Sequence, residues 1–188
     1  MDEIVAHYES VREEDRLTAG TGELERIRTQ ASLLRYLDPP PGRQGWHGGP
    51  TPLGSLRGVD PEQAAWKPGP RRHSIWELAL HIAYWKYAVR RRLTGGKAHT
   101  FERAPANWPA VADPADGRAW AADRALLRQE HERLLDTVAT IPLTHLGRHP
   151  PGSKKWTYGE LILGIAQHDA YHAGQIQLMK RLWSERER

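Results

Sequence analysis

The sequence predicts an all-α protein, a four-helix bundle with an additional N-terminal helical segment. Apolar residues recur at helical period over three long stretches, and two of those stretches open on a Ser/Thr-x-x-Glu capping box. No stretch shows the alternation of a strand, and no internal repeat is visible. Proline and glycine cluster between the stretches, where they stop helices. The 188 residues are enough for one domain with a real core and an appendage.

Taken in order, residues 2–16 and 22–37 read as two helices. In the second, Leu24, Ile27, Ala31, Leu34 and Leu37 fall at helical spacing, and Asp38-Pro39-Pro40-Pro41-Gly42 ends it. Residues 1–41 are therefore expected to form an N-terminal helical arm, and residues 42–188 the bundle domain. A short helix is expected near Pro52–Arg57, and a Pro-rich stretch over Lys67–Pro70. The first strong element spans Ser74 to Leu93, with Ser74 and Glu77 as its capping box and Ile75, Leu78, Ile82, Trp85 and Val89 as its apolar stripe. Gly95-Gly96 ends it. A polar loop over residues 97–114 leads to a helix from about Ala115 to Thr140, packed through Trp120, Leu127, Leu134 and Val138. The last helix spans about Thr157 to Trp183, opened by Thr157 and Glu160. Trp76, Trp85 and Trp156 are expected to be core anchors.

Composition excludes several classes. No run approaches the roughly 20 apolar residues of a membrane helix. The N-terminus lacks the layout of a signal peptide, so a cytoplasmic protein without membrane association is expected. The chain has no cysteine, which removes disulfides, thiolate metal sites and cysteine nucleophiles together. The 27 basic residues are interleaved with 23 acids, and the densest run, Arg90-Arg91-Arg92, falls near a helix C-terminus. Scattered surface charge is the reading, and no nucleic-acid partner is expected.

The final helix carries the sharpest chemical signal. Leu161, Ile165, His168, His172, Gln175, Met179 and Leu182 form one face, apolar at both ends and polar in the middle. His168 and His172 are four apart, so their imidazoles can share a metal. Buried imidazoles and a carboxamide cost free energy unless satisfied, and a metal would satisfy both rings at once. The third candidate is His81, beside the stripe of the helix that opens at Ser74. Spacing alone leaves two readings, a metal pair or two satisfied core histidines, and leaves His81 as one choice among ten histidines. His7, His99, His145 and His149 read as surface residues and His131 as a satisfied bundle histidine, while His47 in Gly45–Pro50 is a loop residue within reach of a substrate. The string His168-Asp169-Ala170-Tyr171-His172 is not a zinc-protease helix motif. Asp169 is too short for the glutamate base, and no third ligand follows downstream. Asp169 reads instead as a helix-surface acid or as one that orients a ligand, and Tyr171 and Gln175 as further candidates for orienting ligands or substrate.

At these residues the chain resembles a known family. The stretches His73–Trp85 and Gln167–Ile176 are similar to the second and fourth bundle helices of the DinB-like superfamily, the YfiT-type metalloenzymes. Gly45–Pro50 and Asn107-Trp108-Pro109 are also similar, and the resemblance spans residues 43 to 183. It implies an up-down-down-up bundle, often a homodimer, and a metal held by His81, His168 and His172. The implied ion is divalent (Zn, Ni or Fe), and three imidazoles do not choose among these. Some relatives are transferases or isomerases that use a low-molecular-weight thiol. The resemblance therefore implies a thiol-dependent S-transferase or a hydrolase acting on a small-molecule substrate. The alternative is a non-catalytic, dimeric metal-binding or stress-response module. Residues 7–41 resemble instead the leader helices of class I methyltransferases. The Rossmann sheet those enzymes require does not follow, so methyltransferase activity is not expected.

Overall fold

Two capping boxes set where the two histidine-bearing helices begin. In the computed structural model, Ser74 Oγ accepts from the Glu77 N–H and the Glu77 carboxylate accepts from the Ser74 N–H. Thr157 and Glu160 repeat the arrangement. Each box satisfies backbone donors that a helix start leaves unpaired. The structure describes residues 31–35, 37, 50–96, 100–111 and 116–186. The expected helix over 2–16, the start of the helix over 22–37, the 38–49 linker and His7, His47 and His99 lie outside them.

The described elements are all helical. A helical segment, α1, covers residues 31–35 and 37. Two short helices, α2 (Pro52–Ser55) and α3 (Pro61–Ala65), each start with proline behind a capping Thr51 or Asp60. Three long helices follow: α4 (Ile75–Thr94), α5 (Gly117–Thr140) and α6 (Tyr158–Glu185). A 3-10 turn at Leu143–His145 precedes α6. The long helices agree with the sequence expectation to within about two residues, while α3 and the 3-10 turn were not expected. Both are single turns, too short to show a period. Helix α4 ends at Gly95, whose φ of 62° is left-handed, and a Cβ there would meet Pro151 at 2.7 Å.

The interior is two apolar cores with a polar layer between them. One core gathers Trp76, Leu80 and Ile82 of α4, Trp120 and Leu127 of α5, and Ile176 of α6. The other gathers Val89 and Leu93 of α4, Leu134 and Val138 of α5, Ile162 and Ile165 of α6, and Leu37 of α1. Helices α4 and α5 both pass from the first core to the second, and α6 returns. The long 95–116 connection is what two helices running the same way require. Between the cores lie His81, Lys86, Glu130, His131, Asp169 and His172, all buried. The fold therefore brings the polar middle of α6 against the polar middle of α4.

One expected core anchor, Trp156, and one end of the expected α6 face, Leu182, are corrected. Trp156 is 44% exposed, because it precedes the Thr157 cap on a loop, and Lys155 Nζ lies over its ring at 4.8 Å. Leu182 is 37% exposed, since its part of α6 extends beyond the two cores.

Candidate metal centre

Helix geometry presents two of the three histidines, and helix packing supplies the third. His168 and His172 stand one turn apart on α6, with ring centroids 4.4 Å apart. His81 of α4 faces both, at 5.1 Å from His168 and 4.9 Å from His172. One potential ligand nitrogen from each ring falls within 4.8 Å of the others. His81 Nε2 and His168 Nε2 are 3.2 Å apart.

That distance tests whether an ion fits. Two metal–imidazole bonds of about 2.0–2.1 Å at a tetrahedral angle place their nitrogens about 3.3 Å apart. The donor set agrees with it, because a ligand imidazole must be neutral. Burial, together with the neighbouring imidazoles, lowers His81 to about 4 and His168 to about 3. Burial also lowers His172, opposed by its hydrogen bond to Gln175. The rings are neutral at pH 7, and the residues present fit a divalent ion.

Two of the rings are oriented from behind. His81 Nδ1 donates to the Asn107 carbonyl at 2.7 Å, and His172 Nδ1 donates to Gln175 Oε1 at 2.6 Å. With the proton on Nδ1, each ring keeps its lone pair on Nε2. Asn107 has φ of 71°, a left-handed conformation that asparagine tolerates better than most residues. Its carboxamide Oδ1 also accepts from Trp85 Nε1 at 2.8 Å, so one loop residue ties down two side chains of α4. Trp108 stacks on His81 at 3.8 Å and on His73 at 3.6 Å. His168 lacks such a support: its Nδ1 is buried with no partner among the described residues.

The remaining expected residues occupy distinct places. Asp169 is not a helix-surface acid. It points into the core and pairs with the fully buried Lys86 of α4. The helix turn that aims His168 at α4 aims its neighbour at the same helix further along. Burial pushes the Asp169 carboxyl up, against the pull of the Lys86 ammonium. Tyr171 is 63% exposed at the mouth of a cleft of about 1080 Å³ that His172, Gln175, Met179 and Trp108 also line. His131 is buried in α5, outside the histidine cluster. His145 is half-buried beside the Tyr158 ring rather than on the open surface, because the 3-10 turn folds it back. Sequence reading passed over Lys86, His73, and the backbone carbonyl of Asn107. A lysine in the middle of an apolar stripe was the available signal for the first. Nothing local marks the other two.

Fold and site together define the class, a helical bundle with a candidate metal centre of three imidazoles on two of its long helices. The family model of the DinB superfamily matches residues 51–176, which include all three histidines, and the chain belongs to that superfamily. The match does not extend over residues 7–41. Comparisons with curated proteins and with solved structures found no match.

Proposed function

We propose that this chain is a metal-dependent enzyme that holds one divalent ion on His81, His168 and His172. In this reading it is a thiol-dependent S-transferase or a hydrolase. The observation that carries the proposal is the convergence of three neutral imidazoles beside a cleft large enough for a small-molecule substrate. Three protein ligands leave a position open, as in catalytic rather than closed structural sites. The ion would lower the pKa of a bound thiol or water and so supply a nucleophile at neutral pH. The thiol is a small co-substrate, since the chain has no cysteine. Asn107 and Gln175 hold the proton on Nδ1 of His81 and His172 and aim both Nε2 lone pairs inward. Asp169 acts at one remove, by fixing α6 against α4 through Lys86. Tyr171, at the cleft mouth, faces the substrate. A homodimer belongs to the same proposal, and exposed Trp156 and Leu163 offer apolar surface for it.

The test is metal analysis of untagged protein beside the His168→Ala/His172→Ala double variant. Near-stoichiometric Zn, Ni or Fe in the wild type that is lost in the variant supports the centre, and thiol-transfer and hydrolysis assays then follow. No metal in the wild type after all three are offered sinks the proposal. Stoichiometric metal without either activity leaves the non-catalytic module.

A further inference from the structure

The cleft beside the histidines is apolar and one-signed. One wall is the outer edge of α6, where Leu178 is 56% and Leu182 is 37% exposed, four residues apart on the same face. Large side chains left in solvent at neighbouring positions form an apolar patch of the kind that receives a ligand. The facing wall is the Pro68-Gly69-Pro70 turn, closed by the Arg72 N–H donating to the Gly69 carbonyl at 3.1 Å. Two prolines with fixed φ make this wall stiff, and it sets Arg71 and Arg72 at the cleft.

These two guanidinium groups differ from three other arginines of the molecule in lacking a carboxylate among the described residues. Arg90, Arg103 and Arg133 are each paired with a carboxylate. Arg71 and Arg72 have no acidic partner among the described residues, and no carboxylate lines the cleft among them. Apolar walls focus the field of unpaired charges on the space between them. A forked guanidinium is built to bind carboxylate or phosphate oxygens.

We propose that the cleft binds an amphipathic organic anion, its carboxylate or phosphate head on Arg71 and Arg72 and its apolar body against Leu178 and Leu182. As a statement about substrate class it rests on the enzymatic reading given above; as a statement about binding it does not need the metal.

The experiment is calorimetric titration of the full chain, chelator-treated and metal-loaded, with octanoate, octyl phosphate and octylammonium as probes. At least one anion is expected to bind the chelator-treated protein, and octylammonium to bind at least about tenfold more weakly than that anion. Which anion binds more tightly distinguishes a carboxylate head from a phosphate head. Arg71→Ala/Arg72→Ala should weaken anion binding by about tenfold or more, with helix content and metal content unchanged. Leu178→Ser should weaken binding of both octyl anions, since it removes part of the wall against which the chain lies. Added salt should weaken binding of the anions to the wild type. Equal affinity for octylammonium, undiminished affinity in the arginine variant, or no binding of either anion would overturn the inference. Arginine-dependent binding in a protein that takes up no metal would sustain this inference and sink the enzyme reading. Stoichiometric metal without arginine-dependent binding would sink this inference and leave the metal centre standing.

Discussion

The polar layer between the two cores contains two clusters that span α4 and α6 and solve the problem of burial differently. Lys86 and Asp169 compensate each other in charge: the cation meets the anion through Asp169 Oδ2 within the chain. His81, His168 and His172 do not. They are three like groups, each made neutral by burial, with lone pairs directed at a common space and no carboxylate among them. The clusters are neighbours, with Asp169 next to His168 in sequence and Lys86 little more than one turn beyond His81. The difference separates a structural lock from a candidate metal centre. It also divides the expected effects of mutation, because the first cluster should govern stability and the second should govern what the protein binds.

Breaking the lock should have the largest effect. Lys86→Met leaves a buried carboxylate without its cation, and denaturant unfolding at pH 7 should show a loss of about 3–5 kcal/mol. The Lys86→Met/Asp169→Leu double variant should recover most of it, since an apolar pair carries no buried charge. A double variant as unstable as the single one would mean that the pair itself, and not its imbalance, holds the helices.

The histidine cluster should respond in binding. Gln175→Leu removes the acceptor that fixes the His172 ring. Metal affinity, measured by competition with a chromophoric chelator, should fall by about 10- to 100-fold, with the unfolding midpoint of the metal-free protein almost unmoved. An unchanged affinity would show that packing alone orients His172.

Acid should sharpen the contrast further. In the unfolded chain His81 and His168 titrate near 6.5, and burial lowers them in the folded chain to about 4 and about 3. As the pH falls below about 6.5 the unfolded state takes up these protons first, so their contribution to stability declines. The decline ends once the folded rings titrate, and above pH 6.5 the two histidines add no slope. In His81→Ala/His168→Ala, stability of the metal-free protein should lose part of its dependence between pH 6.5 and pH 3. A profile that matches the wild type would place the acid sensitivity elsewhere, with His172, which burial also lowers, the first group to examine.

The smallest effect lies outside the polar layer. Ser74→Ala removes one side of the α4 capping box and should cost about 1 kcal/mol with no change in metal affinity. Loss of metal in this variant would mean that the helix start, seven residues before His81, helps to position the ligand.

Much of this was readable along the chain. Both capping boxes and the long-helix boundaries follow from residues within a few positions of one another. The His168/His172 pair does too, because a helix repeats every 3.6 residues whatever surrounds it. Composition likewise restricted any metal site to His, Asp and Glu, since the chain has no cysteine. Other features depended on residues far apart. His81 and His168 are 87 positions apart, and Lys86 and Asp169 are 83. Asp169 reads as a surface acid until the Lys86 of another helix is placed against it. The carbonyl that holds His81 belongs to a loop residue whose φ no local pattern specifies. The cleft exists only because the Pro68–Arg72 turn faces the outer edge of α6. Local hydrogen bonding and periodicity determined the helices and the ligand pair. Which side chains meet across them was decided only when burial of the two apolar cores set the helices against each other, because contact between distant residues is a property of packing and not of spacing.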